Sequence, residues 1–268
     1  MPTVDRGGTS LYYETAGDRG GSPGADRAPV PVAFVNDVGY GAWLWGWQQP
    51  ALAGRRGTVV WDLPGTGRSE ARGGDLTVDA LAADLEAVLA AAGLDRAHLV
   101  GAGLGGAVAL RYAREYGRGR SLTLIGTAAA GGAVDAAALE ALALAPDGSG
   151  CRASLAGALT TAFREARPDL VADICGWRRE EDATGAAVEA QAAALLAVES
   201  GPLHAVDLPA LVLHGLEDPV VAPGAGRELA AGLPRGTFEA VEGRHLCFLE
   251  HARAVTDRLA GHLADQDG

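Results

Sequence analysis

Two residues near the C-terminal end, Asp218 and His245, are of the types that acid–base chemistry requires. A carboxylate that holds one imidazole nitrogen fixes the tautomer and leaves the other nitrogen free to take or give a proton. Each residue follows an apolar, β-rich run. Asp218 closes Leu211-Val212-Leu213-His214-Gly215-Leu216-Glu217-Asp218, and His245 closes Glu242-Gly243-Arg244-His245. Upstream, Gly101-Ala102-Gly103-Leu104-Gly105-Gly106 ends an apolar run and opens a helical one. This segment has two readings. As G-x-G-x-x-G (Gly101, Gly103, Gly106) it would cradle a dinucleotide pyrophosphate at a helix N-terminus. That motif belongs on the first strand of its unit and needs an acid at the end of the next strand. Here the next strand is Leu122–Ile125 with no acid at its end, and Glu115 lies too early, inside a helix. Dinucleotide binding is therefore the remote alternative. As G-x-Nuc-x-G (Gly101, position 103, Gly105) the segment is a nucleophile elbow, a sharp strand-to-helix turn that demands small neighbours. In that reading glycine stands at the nucleophile position.

The elements around these residues alternate. Strands are predicted at Ser10–Glu14, Val32–Asn36, Thr58–Trp61, His98–Gly101, Ser121–Ile125, Ala210–His214 and Thr237–Val241. Several are apolar throughout, as strands buried on both faces should be. Between them, Thr77 caps a helix whose stripe is Val78, Leu81, Leu85, Val88 and Leu89, and Gly93 stops it. Leu104–Tyr116 and Ala252–Leu263 are further helices, and Asp18–Pro29 reads as a surface loop. The alternation predicts an α/β fold with a mainly parallel central sheet flanked by helices. Residues 1–129 and 206–268 form its core. The alanine-rich stretch 130–205 carries helical signals and no clear strand, and reads as an inserted helical lid.

Composition excludes several classes. All 22 basic residues are arginine, against 34 acidic residues, for a net charge of -12. Such a chain repels phosphate backbones and anionic membranes, so neither nucleic acid nor membrane is an expected partner; a small molecule is. The 39 glycines are roughly twice the usual share but have no collagen-like period. This composition suits a GC-rich genome and is compatible with a halophile. Cys151, Cys175 and Cys247, sparse and without CxxC spacing, read as neither a disulfide framework nor a metal site. No cofactor is expected. The first residues lack a charged stretch followed by an apolar run, and no span is long enough to cross a bilayer, so a cytoplasmic protein is expected.

With Asp62-Leu63-Pro64-Gly65-Thr66-Gly67-Arg68-Ser69 after the strand at Thr58–Trp61, and the chain order elbow, acid, histidine, the sequence resembles the α/β-hydrolase superfamily. The resemblance covers about residues 8–128 and 206–265, and is nearest to the branch of β-ketoadipate enol-lactonases and esterases. It implies an oxyanion hole made by the backbone N–H groups of Val38 and Leu104. It also implies a Ser, Cys or Asp where this chain has Gly103, and a His-Gly pair where it has Asn36-Asp37; Asn is known at the first of these positions. Glycine forms no acyl-enzyme. The expected function is hydrolase-like action on a small apolar or cyclic ester, lactone or carbonyl compound by His245–Asp218 chemistry without a serine intermediate. The alternatives are a ligand-binding protein without turnover, or a serine-to-glycine variant of an esterase.

Other candidates are weaker. Asp37 lies beside the expected oxyanion hole, where a carboxylate opposes an oxyanion unless protonated or turned away. It reads as a loop hydrogen-bonding residue or a second base. Trp45 and Trp177 are candidate pocket residues, whereas Trp43 reads as packing. Cys247 reads as a small buried residue, and Arg244 as a surface ion-pair partner or a guide for anions. His214 reads as structural; His98, His204, His251 and His262 read as surface or helix positions without acidic partners.

Overall fold

A computed structural model describes residues 2–17, 29–145 and 147–267. Eight strands form one sheet: β1 (Thr3–Arg6), β2 (Thr9–Ala16), β3 (Val32–Val35), β4 (Thr58–Trp61), β5 (Ala97–Ala102), β6 (Gly119–Ile125), β7 (Ala210–Gly215) and β8 (Gly236–Val241). Their order is β1-β2-β4-β3-β5-β6-β7-β8. The β1–β2 and β2–β4 pairs are antiparallel and the rest parallel. Every residue of β3, β4, β5 and β7 is buried, which is why these strands are nearly continuous apolar runs. The sequence misses β1, a short edge strand of half-exposed residues with little apolar signal. The predicted loop at Asp18–Pro29 falls, apart from Pro29, outside the described residues.

The helices are α1 (Gln48–Ala53), α2 (Val78–Ala91), α3 (Leu104–Glu115), α4 (Ala136–Glu140), α5 (Cys151–Ala158), α6 (Thr161–Ala166), α7 (Pro168–Glu181), α8 (Ala186–Leu196), α9 (Pro223–Gly232), α10 (Cys247–Glu250) and α11 (Ala252–Asp265). The Thr77 hydroxyl accepts from Ala80 N at the start of α2, and Gly93, at φ +69°, ends it in the left-handed conformation that glycine tolerates. Between β6 and β7 the described residues form helices α4–α8 and short 3-10 turns. Isolated bridges Ala130–Glu199 and Val134–Val221 tie the base of this segment.

The segment is also cross-linked, contrary to the reading of its cysteines: Cys151 on α5 and Cys175 on α7 form a disulfide with Cα atoms 5.8 Å apart. The two positions are 24 residues apart and meet only because α5 packs on α7. Arg178 of α7 adds a buried polar tie. It bonds Asp182 at 2.6 Å, the Ser154 hydroxyl at 2.7 Å and the Leu142 carbonyl at 2.8 Å, and lies over the Tyr40 ring.

Candidate active site

The sheet has its switch point at β3. The chain leaves β3 for β4 on one side and then crosses to β5 on the other, so the connections after β3 and β5 diverge and open a crevice at their carboxyl ends. Register brings Val35 opposite Gly101, which sets Asn36-Asp37 beside Ala102-Gly103. The loops after β7 and β8 deliver Asp218 and His245 to the same end.

Gly103 forms the turn from β5 into α3 with φ +46° and ψ -111°, a conformation side chains rarely adopt. The neighbouring glycines serve close packing. A Cβ on Gly101 would collide with the Gly105 carbonyl, one on Gly105 with the Val35 carbonyl, and one on Gly106 with the Thr127 hydroxyl. The run thus lets α3 lie directly on its strands.

His245 sits between two carboxylates. Its Nδ1 is 2.8 Å from Asp218 Oδ2, and its Nε2 is 2.8 Å from Asp37 Oδ2. The other oxygen of Asp37 accepts from Val38 N at 2.7 Å and Leu104 N at 2.9 Å. These are the two amides that the sequence proposes as an oxyanion hole, and both are directed at Asp37. The same carboxylate fills the space beside Gly103, where a Cβ would collide with it. Asp37, Asp218 and His245 are all buried.

The charges follow from this arrangement. Burial alone would push the His245 imidazole down; the charge and hydrogen bond of Asp218, then those of Asp37, outweigh it and raise the pKa to about 10. Burial would raise Asp218, but the charge of His245 and hydrogen bonds from His214 and His245 hold its carboxyl far below the usual carboxylate range. Asp218 Oδ1 also accepts from Val220 N at 2.8 Å and Val221 N at 3.1 Å. At neutral pH His245 is therefore an imidazolium held between Asp218 and Asp37.

The remaining candidates lie elsewhere. Trp45 is fully buried, with its ring 4.9 Å from Phe34 and 5.1 Å from Phe248. Trp177 packs against Trp43 and Trp47. Cys247 is buried, and burial pushes its thiol up, away from the thiolate a nucleophile needs. Arg244 bonds the Ala156 carbonyl. His214 is buried with Nε2 2.7 Å from the Val221 carbonyl. His98 departs from its expected surface position: it is buried in β5, 2.7 Å from the Ser121 hydroxyl and 3.2 Å from Asp267, an acid at the far end of the chain.

A cavity of about 540 Å³ adjoins the site. Leu139 and Leu144 line it near α4, Val188 and Leu196 line it on α8, and it reaches Val38, the residue after Asp37. Gln191 of α8 fastens this wall to the core. Its Oε1 accepts from Gly39 N at 2.7 Å, and its Nε2 donates to the Thr66 hydroxyl at 2.8 Å and the Pro64 carbonyl at 3.1 Å. Sequence reasoning passed over Gln191, whose three partners come from two distant loops. Among the described residues no cluster of His, Cys, Asp and Glu is arranged to hold a metal, and no helix is long and apolar enough to cross a membrane.

Comparison with known proteins agrees with the architecture. A protein named as a carbamate hydrolase in Azorhizobium caulinodans is 36% identical over 126 residues, 47% of this chain; the match spans 44% of that relative, less than half its length. The 3-oxoadipate enol-lactonase 2 of Acinetobacter baylyi is 26% identical over 248 residues, covering 91% of this chain and 90% of the relative. The enol-lactonase structure from Burkholderia xenovorans LB400 superposes with a TM-score of 0.80 at 24% identity, covering 98% of this chain and 100% of that one, a likeness of fold. The model of the alpha/beta hydrolase family matches residues 32–258, and with the eight-stranded sheet in place the chain belongs to that family.

Proposed function

We propose that the chain hydrolyses a small apolar or cyclic substrate, with His245 and Asp218 handling the proton of the attacking water and no acyl-serine intermediate. The observation that carries this reading is His245, aligned by Asp218 on Nδ1 and with Nε2 directed at the Asp37 carboxylate that fills the space beside Gly103. At rest the ring already carries this proton, so it becomes a base only once substrate entry has displaced Asp37 and the Nε2 proton has left; Asp218 then stabilises the imidazolium that re-forms when the ring takes a proton from water. The apolar cavity ending at Val38 supports a substrate of low polarity, and the helices α4–α8 act as the lid over it. The relatives' names make lactones and carbamates the first compounds to assay, with a simple ester beside them.

The test is turnover of δ-valerolactone, 4-nitrophenyl butyrate and ethyl carbamate by wild type, His245→Gln and Asp218→Asn. The expected result is loss of roughly 10²-fold or more in kcat on removing the base. Unchanged rates in His245→Gln refute the reading. One observation favours a second reading, binding without turnover: both amides of the expected oxyanion hole are already satisfied by Asp37. A ligand that raises the melting temperature and is recovered unaltered decides for it.

A further inference from the structure

His245 is held in place by α5 as well as by its two carboxylates. The residues on either side of it are bonded to the last turn of that helix. Leu246 N donates to the Ala158 carbonyl at 3.0 Å, and the Arg244 guanidinium donates to the Ala156 carbonyl. Glu250 adds a further tie. One of its oxygens accepts from Arg244 N at 2.8 Å, and the other accepts at 3.0 Å from Thr160 N, just past α5. α5 is in turn joined to α7 by the Cys151–Cys175 bond and by the 2.7 Å hydrogen bond from Arg178 to Ser154. The placement of His245 thus depends on where α5 lies, and the disulfide is the covalent part of that support.

The disulfide also lines a cavity of about 530 Å³ that Arg152 and Arg179 share. Arg152 adjoins Cys151, and Arg179 lies one helical turn beyond Cys175 on the same face of α7. Both arginines are exposed, and neither forms an ion pair among the described residues. Among those residues no carboxylate lines the cavity, in a chain whose net charge is -12. Cys151 is the first residue of α5, and no acid stands in the first turn, so the helix N-terminus favours negative charge on its sulfur.

We propose that Cys151–Cys175 is a thiol-exchange site reduced by small anionic thiols, and that its redox state governs the placement of His245. A thiolate of the reductant attacks Cys175 Sγ. The S–S bond breaks, and Cys151 Sγ leaves with the electron pair and takes a proton from water. Cys151 is the better leaving sulfur because Arg152 and the helix N-terminus stabilise the charge it acquires. A second thiolate attacks the reductant's sulfur in the mixed disulfide, and Cys175 leaves as a thiolate that takes a proton in turn. In sum, the protein disulfide and two thiols give two protein thiols and the reductant's disulfide. The same steps in reverse restore the bond.

Reduction leaves α5 held to α7 by Arg178 and by packing alone. The Ala156 and Ala158 carbonyls move with the helix, and Arg244 and Leu246 follow them. The two 2.8 Å hydrogen bonds of the ring, to Asp218 and Asp37, tolerate little displacement. The effect on turnover rests on the reading of His245–Asp218 as the water-activating pair; the placement of the ring is measured without it.

The experiment treats the full chain with 2-mercaptoethanesulfonate, 2-mercaptoethanol and 2-aminoethanethiol, which are anionic, neutral and cationic. Acid-quenched samples are mapped by peptide mass. The proposal expects a mixed disulfide on Cys175. In the variant carrying Arg152→Gln and Arg179→Gln it expects reduction by the sulfonate to slow on the order of 10-fold, and reduction by 2-mercaptoethanol to keep its rate. Ring N–H proton resonances report the placement of His245, and those of His98, buried in β5, report the core. Each is assigned by its loss in the matching glutamine variant. Reduction should shift or broaden the His245 signals and leave those of His98 in place. Cys151→Ala with Cys175→Ala should give the same spectrum, and the reductant's disulfide should reverse the change in wild type. His245 signals that stay put after complete reduction overturn the proposal, as does joint loss of both rings' signals, which is unfolding. Equal sulfonate rates in wild type and the double glutamine variant overturn it too. The two readings fail separately. Ring signals that follow the redox state in a protein without turnover keep the switch and remove the hydrolytic reading. Turnover that needs His245, with ring signals indifferent to reduction, keeps the hydrolytic reading and removes the switch.

Discussion

Gly103→Ala tests whether the Asp37 carboxylate is locked in place or merely rests there. The added methyl group lands on that carboxylate, so Asp37 must leave the two amides and the His245 ring. Hydrogen bonds to a charged group contribute roughly 1.5–3 kcal/mol each, so losing the two amide bonds alone costs about 3 kcal/mol or more. The turn itself, at φ +46°, adds strain of about 1–3 kcal/mol for a residue with a side chain. Gly103→Ala should therefore lower unfolding free energy by at least about 4 kcal/mol. In an Asp37→Gly background the collision is gone and only the strain of about 1–3 kcal/mol remains. Urea unfolding of the four proteins, followed by tryptophan fluorescence and circular dichroism, gives the coupling, expected at about 3 kcal/mol or more, the cost of the two lost amide bonds. Additive costs, equal within about 0.5 kcal/mol in both backgrounds, refute the reasoning. The same collision means that Gly103→Ser alone yields no serine esterase, whereas Gly103→Ser with Asp37→Gly frees both the space and the hole.

Two other outcomes follow from charge and covalent structure. His245, raised from 6.5 to about 10, contributes stability that is complete below about pH 6.5 and is lost as pH rises toward 10; Asp218, lowered, contributes stability held above about pH 4 and lost on acidification. Unfolding free energies from urea titrations at pH 6, 8 and 10 should fall in wild type by an amount on the order of a few kcal/mol, and the decline should largely vanish in His245→Gln; parallel declines disprove the assignment. Reduction of Cys151–Cys175, which closes a loop with a sequence separation of 24, should cost about 3 kcal/mol and lower the melting temperature; identical melting with and without reductant disproves a stabilising role.

What the sequence revealed follows physical lines. Strands buried on both faces carry their signal in each residue, so β3, β4, β5 and β7 were legible to within a residue or so. Asp218, Gly103 and His245 were legible because each follows a strand at its carboxyl end. Asp37 was seen as a nearby residue but not as the centre of the site. Its position depends on β3 pairing with β5 in a register that no spacing along the chain encodes. The partners of Asp267 and the Cys151–Cys175 bond were hidden for the same reason, being contacts between elements far apart in sequence. His98 misled because an imidazole in an apolar run suggests exposure, whereas Ser121 on the neighbouring strand supplies a partner inside the sheet.

Gln191 gives the molecule a property that none of its parts has alone. Its single amide joins α8 to Gly39 and to the turn at Pro64–Thr66, and Gly39 is two residues from Asp37. A movement of α8 that widens the cavity pulls on the segment that aims the carboxylate. The cavity wall and the segment carrying Asp37 are thus one mechanical unit: displacing α8 breaks bonds to both loops at once.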